Sequence, residues 1–144
     1  MTTDELIKFA QQFVQEHSVF VLATAGEGGA PRMRWMGALL LEEPFTLYMA
    51  CGANSRKMDQ VRANPQAQLM FQNAQFSEVV TLFGECEVTD DAEMKQRLWD
   101  SLPAMEQYFK GPDDPGLGVL KFTAQRIELL GLQTHGPEPL VAEL

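Results

Sequence analysis

The stretch Cys51-Gly-Ala-Asn-Ser-Arg-Lys-Met-Asp-Gln-Val-Arg-Ala-Asn-Pro65 decides how the rest of the chain is read. A strand runs into it and a short helix leaves it. Asn54 or Ser55 supplies an N-cap, Met58 and Val61 an apolar i, i+3 pair, and Asn64-Pro65 a stop. The first turn of a helix leaves backbone N–H groups without intrahelical acceptors and carries partial positive charge. Arg56 and Lys57 sit in that turn, where the dipole disfavours cations, and a bound anion such as phosphate would account for them. An ordinary surface helix with a solvated Arg and Lys fits the same residues equally well.

Upstream, Val19 to Thr24 is a short run of β-formers, Gly26-Glu-Gly-Gly29 a hairpin turn, and Pro31 the edge of a second strand. Alternation within Arg32-Met-Arg-Trp-Met36 puts Arg32, Arg34 and Met36 on one face and Met33 and Trp35 on the other, so two arginines project together. Gly37 to Leu41 is read as a continuation of this strand. Glu42-Glu-Pro44 turns the chain, and Phe45 to Ala50 leads as a third strand into the junction. Ahead of them all, Thr2 to about His17 reads as a helix with a Thr2-x-x-Glu5 capping box and an apolar face that includes Leu6, Ala10, Phe13 and Val14.

Downstream, Ala67 to Gln72 is a fourth strand. Glu78 to Thr89 is a long fifth, with Val80, Leu82, Cys86 and Val88 on its apolar face and Gly84 as a bulge or a close backbone approach. Asp90-x-x-Glu93 opens a helix through about Trp99, and Ser101 with Pro103 opens a further short one through about Phe109. Lys110 to Gly116 is a loop, and Gly118–Phe122 and Arg126–Leu130 read as one or two closing strands. The tail from Thr134, with Pro137 and Pro139, is expected at the periphery. Strands joined by hairpins with few helices between them predict a mainly β, α+β protein built on a small antiparallel barrel, not a doubly wound parallel sheet.

A chain of 144 residues fits one domain over its whole length. The 45% hydrophobic and 22% charged content is ordinary for a soluble protein, and no apolar run approaches the ~18 residues of a membrane span. The acidic N-terminus lacks the basic start of a secretory signal, which points to the cytoplasm. A net charge of −9, from 20 acidic and 11 basic residues, works against nucleic acid and anionic lipid as partners. Against that background the pairs Arg32/Arg34 and Arg56/Lys57 stand out. Cys51 and Cys86 lack CxxC spacing and are expected reduced and buried, and no metal site is predicted. His17 and His135 read as surface or packing residues, so no catalytic residue is assigned.

Several segments carry a resemblance: Gly29-Ala-Pro-Arg-Met-Arg34, Leu47-Tyr48, Ser55-Arg-Lys57 followed by Val61 and Asn64-Pro65, and Leu82-Phe-Gly-Glu-Cys-Glu-Val88. In this order, across roughly residues 1 to 130, the chain resembles the pyridoxamine 5′-phosphate oxidase-like, FMN-binding split-barrel family, and within it the small general-stress-protein-like members. The resemblance implies a homodimer with FMN at the subunit interface. Arg32 or Arg34 with Ser55, Arg56 and Lys57 would hold the FMN phosphate. The backbone from Met33 to Met36 would run along the isoalloxazine edge, and Trp35 would line either the ring pocket or the core. The chain departs from the true oxidases where they carry Arg-Gln-Val-Arg, since Glu78-Val-Val-Thr81 stands here, and it lacks their C-terminal Trp and Arg-rich stretch. The implied activity is therefore an FMN-dependent oxidoreductase whose substrate, nicotinamide or a small organic molecule, is not pyridoxamine phosphate. The alternatives are a noncatalytic flavin-binding or flavin-sensing module, a haem or deazaflavin binder on the same barrel, and a degenerate barrel that serves only as an interaction protein.

Overall fold

The computed structural model describes residues 1–131 and 135–144. Helix α1 (Thr3–Glu16) begins with the expected capping box: Thr2 Oγ1 accepts from Glu5 N–H while the Glu5 carboxylate accepts from Thr2 N–H. Strands β1 (Phe20–Ala25) and β2 (Pro31–Met36) form a hairpin around a 3₁₀ turn at Glu27–Gly29. Strands β3 (Leu39–Glu42) and β4 (Thr46–Gly52) form the next, and helix α2 (Arg56–Ala63) follows. Then come β5 (Gln66–Gln72), β6 (Val79–Thr89), helix α3 (Ala92–Ser101), a 3₁₀ turn at Pro103–Gln107, β7 (Leu117–Gly131) and β8 (Gly136–Glu143).

The eight strands make one antiparallel sheet, seven of them in the order β2-β1-β5-β6-β7-β4-β3 and β8 off this path beside β7. Its two ends, β2 and β3, are consecutive in the chain yet do not pair with each other, so the sheet curls into a split barrel. Along β7, β6 occupies one side. On the other side β4 pairs with its first half and β8 with its second. The barrel fills with Phe20, Leu22, Leu69, Phe71, Leu82, Phe122 and Ile127, while α1 and α2 close it with Leu6, Phe13, Met58 and Val61. A smaller cluster of Ala50, Met94, Leu98, Met105, Leu117 and Val119 seats α3 and the 3₁₀ turn.

Three expectations are corrected and one left open is settled. The strand thought to run from Arg32 through Leu41 breaks at Gly37-Ala38, where the chain leaves the β1 edge for the β4 edge. Helix α3 is capped by Asp91, whose carboxylate accepts from Glu93 and Met94 N–H, whereas Asp90 pairs with Lys95. Of the one or two closing strands expected, the structure has one, β7, bulged opposite the Phe83–Gly84 step of β6. The tail is an edge strand rather than a peripheral segment: β8 pairs with β7 and buries Ala142, although Thr134, where the tail was expected to begin, lies outside the described residues. Gly84 is a close approach as well as a bulge, because a Cβ there would lie 2.1 Å from Thr123 O.

Candidate anion site and cleft

Strand β4 delivers the chain to the start of α2 through a turn held at both ends. Ser55 N–H donates to Gly52 O at 3.2 Å, and Ala53 N–H donates to Gly116 O at 2.9 Å. Gly118 of β7 is required here, since a Cβ on it would meet Met58 Cε at 2.3 Å and Ala53 Cα at 2.9 Å. Ser55 occupies the N-cap position, but its hydroxyl turns back and donates to Gly52 O at 2.8 Å, so no side chain caps the helix. The first-turn amides of α2 thus lack the side-chain acceptor that a Ser N-cap ordinarily offers, although Met58 N–H donates to Ser55 O at 3.1 Å.

Arg34 reaches this helix from β2. Its Nη1 donates to Thr24 Oγ1 and its Nη2 to Gln60 Oε1, each at 2.7 Å, and Thr24 Oγ1 in turn donates to Gln60 Oε1 at 2.7 Å. Nη1 also lies 3.2 Å from Leu22 O and 3.1 Å from Arg32 O. Partial burial, and then the nearby Arg56 charge, lower the Arg34 pKa. Cations gathered without a carboxylate favour a bound anion.

Arg32 shares the face of Arg34 but not its position, for it lies over Gly26 of the hairpin and donates to its neighbour Pro31 O. The structure therefore sets Arg34 against Gln60 of α2 and within electrostatic reach of Arg56 at the helix start, where Ser55 and Lys57 also stand, and leaves Arg32 at the β1–β2 turn. Among the described residues, no ion pair involves Arg32, Arg34, Arg56 or Lys57, nor Lys8 or Lys110, whereas Arg62, Lys95, Arg97, Lys121 and Arg126 are each paired with a carboxylate. In a chain with 20 acidic residues, pairing would be the default for cations fixed in place.

Lys57 also borders a cleft of about 720 Å³ beside the β2–β3 break. One wall is the end of β2 and β4, with Trp35, Gly37, Ala38, Ala50 and Cys51; the other is the segment Leu102 to Phe109. The floor is made of small residues, and a Cβ added at Gly37 or Gly52 would meet nothing within 4 Å. Cys51 and Cys86 are free and buried as expected, and burial raises their thiols to about 11 and about 12, too high for a reactive thiolate at neutral pH. The helical wall, Thr24 and Gln60 were not singled out in the sequence. Gln60 was findable, since it stands four residues after Arg56 on the same helix face.

Trp35 lines the cleft yet is 64% exposed, and Met33 beside it is 73% exposed. With Val19 and Met70 they make an apolar outer face on β2, β1 and β5. Neither Met33 nor Trp35 belongs to the core.

The features that frame this region are those of a split barrel with an uncapped helix start and a cleft beside the break in the sheet. The chain belongs to the pyridoxamine 5′-phosphate oxidase family, whose model matches residues 6–131. General stress protein 26 of Bacillus subtilis (strain 168) is 26% identical over 130 residues, which cover 88% of this chain and 89% of that protein. A crystal structure from Clostridium acetobutylicum, related to the same stress protein, superposes with a TM-score of 0.83 at 22% identity, covering 100% of this chain and 97% of that one. A NimC/NimA family protein from the same organism superposes at 0.79 with 27% identity, covering 96% and 93%. A haem-binding protein from Mycobacterium smegmatis shares the fold at 0.74 and 18% identity, with 99% of this chain covering 58% of that one. No described helix is long and apolar enough to cross a membrane.

Proposed function

We propose that the protein binds FMN, with the phosphate at Arg34, Ser55, Arg56 and Lys57 and the isoalloxazine ring in the adjoining cleft, and that it acts as an FMN-dependent oxidoreductase. The observation that carries this reading is the gathering of unpaired cations at the uncapped start of α2 in an otherwise acidic chain. The cleft falls in the size range of small-molecule sites, and its glycines and alanines leave room for a flat ring against the Trp35–Ala38 backbone. Flavin supplies hydride or electron transfer, while the protein contributes binding, orientation and exclusion of water. The substrate is a nicotinamide or a small organic molecule, admitted past the Leu102–Phe109 wall.

The functional unit is a homodimer joined through the apolar face of Met33, Trp35, Val19 and Met70, which borders the cleft through Trp35 and so brings the pocket to the subunit interface. A haem reading, suggested by the Mycobacterium smegmatis protein, finds no histidine at the cleft, although Met36, Cys51, Met105 and Tyr108 line it. His17 stacks on Phe13 and places Nδ1 at 2.8 Å from Phe13 O, and neither it nor His135 lines the cleft.

After incubation with FMN and removal of unbound flavin by gel filtration, the purified protein is expected to retain absorption near ~370 and ~450 nm, and to bleach with NADH or NADPH under anaerobic conditions. A Soret band, or a protein that remains colourless with FMN, refutes the cofactor. Retained flavin colour without bleaching by any donor leaves a carrier or sensor in place of the enzyme.

A further inference from the structure

Arg34 has five N–H donors, and the structure shows where three of them go. The Nη1–Nη2 edge of its guanidinium engages the Thr24–Gln60 pair, with Nη1 on the hydroxyl and Nη2 on the amide oxygen. The second Nη1 hydrogen lies toward the carbonyls of Leu22 and Arg32. That leaves Nε–H and the second Nη2–H, which by the planar geometry of the group lie on one edge and form a two-pronged fork. No acceptor meets this fork among the described residues.

The orientation of Gln60 is fixed by the same chemistry. Its Oε1 accepts from both Arg34 and Thr24, whereas a flipped amide would set NH₂ hydrogens against the guanidinium. Thr24, 3% exposed, is the one buried polar residue among those described, and its hydroxyl both accepts from Arg34 and donates to Gln60. These bonds close a ring of three side chains drawn from β1, β2 and α2. Both partners are neutral, so they hold the guanidinium without consuming its charge. An Asp or Glu in the place of Gln60 would pair with Arg34 and repel an incoming anion.

We propose that Thr24 and Gln60 are positioning residues that clamp one edge of Arg34, so that its Nε–H/Nη2–H fork meets the phosphate of the flavin in a bidentate contact. The clamp rests on the phosphate reading above and adds to it a division of labour: Arg34 is fixed by its partners, while Arg56 and Lys57 supply field from the helix start.

The test compares FMN with riboflavin, which differ by the phosphate alone, by titrating flavin fluorescence against the wild type, Gln60→Leu, Gln60→Glu, Thr24→Val, Thr24→Ser, Arg34→Ala and the pair Arg34→Ala/Gln60→Leu. Gln60→Leu and Thr24→Val are expected to weaken FMN roughly ten-fold and leave riboflavin unchanged, and Thr24→Ser to retain wild-type affinity. Gln60→Glu, which keeps the acceptor and adds a charge, is expected to weaken FMN at least as much. In the Arg34→Ala background Gln60→Leu should have no further effect, because the clamp has nothing left to hold. Equal losses for FMN and riboflavin, or a full Gln60→Leu effect without Arg34, overturn the clamp and make the ring a packing feature. A wild type that does not prefer FMN over riboflavin overturns the phosphate reading itself. Thermal melting of each apo variant separates misfolding from lost affinity, and Gln60→Glu preserves the test if burial makes Thr24→Val unstable.

Discussion

Replacing Arg56 and Lys57 together with Ala separates what these cations do for folding from what they do for binding. Neither takes part in an ion pair among the described residues, and both stand in the first turn of α2, where the dipole opposes positive charge. Arg56 moreover lies close enough to Arg34 to lower its pKa. Removing the two charges should therefore leave apo stability within about 0.5 kcal/mol, or raise it slightly. Binding should respond differently. A hydrogen bond to a charged group contributes about 1.5–3 kcal/mol, and two of them at a partly solvated site give a combined loss of about 2–5 kcal/mol. That corresponds to FMN affinity falling about 30- to 5,000-fold. Fluorescence titration with FMN and riboflavin, at two salt concentrations, measures the loss and its electrostatic share, and thermal melting of the apo form measures the folding side. Unchanged FMN affinity would refute the placement of the phosphate. So would equal losses for the two flavins, which would show that the substitutions had damaged the cleft rather than removed an anion contact.

Three further outcomes follow from the same geometry. Met33→Glu, which puts a charge twice into a symmetric interface and forfeits about 2 kcal/mol of apolar burial from each subunit, should yield monomers in sedimentation; a dimer of wild-type strength would place the interface elsewhere. Gly84→Ala should lower stability by about 2–3 kcal/mol, or roughly 6–10 °C in Tm, since its Cβ collides with backbone at Thr123 O and not with a movable side chain; an unchanged Tm would contradict the close approach. The Asp114 carboxyl is held below its usual pKa by Lys110 N–H, then by Gly116 N–H, so its contribution to stability is present above the unfolded carboxylate value and is lost as pH falls through the lower folded value. Asp114→Asn should accordingly flatten the acid side of the stability profile below about pH 4, and an acid limb identical to the wild type would show that the loop bonds are not formed in solution.

What could be read in advance was whatever obeys a local period. The capping box, the β1–β2 hairpin, the alternation of β6 and the helix after Ser55 are each written in a few adjacent residues. The failures share a different cause, because each depends on a neighbour distant in sequence. Leu39 to Leu41 carries on the apolar character of β2, and only pairing with β4 tells that the ladder has changed edge at Gly37. The bulge near Gln125 breaks the alternation of β7 without breaking the strand. Pro137 and Pro139 look hostile to a sheet, but they are two residues apart, so both missing N–H groups fall on one side of a strand that pairs with β7 alone.

The site shows the same division at the level of single side chains. Alternation placed Arg32 and Arg34 on one face, and left open which of them reaches α2, because a face does not fix a position along it. Arg32 stands opposite Thr24, one residue from the hairpin turn, and its side chain folds over Gly26. Arg34 stands opposite Leu22, deeper in the sheet and under α2, where Gln60 hangs from the helix one turn below Arg56. A shift of two residues along β2, about 7 Å, thus separates a solvated hairpin cation from a clamped one. Under the proposed reading, an anion at the start of α2 would gain from Arg34 because the fold has already fixed its guanidinium. For Arg32 the ordering of a long side chain would have to be met at the moment of binding. Exchanging the two roles would require a second clamp near Gly26, and none of the described side chains there supplies one.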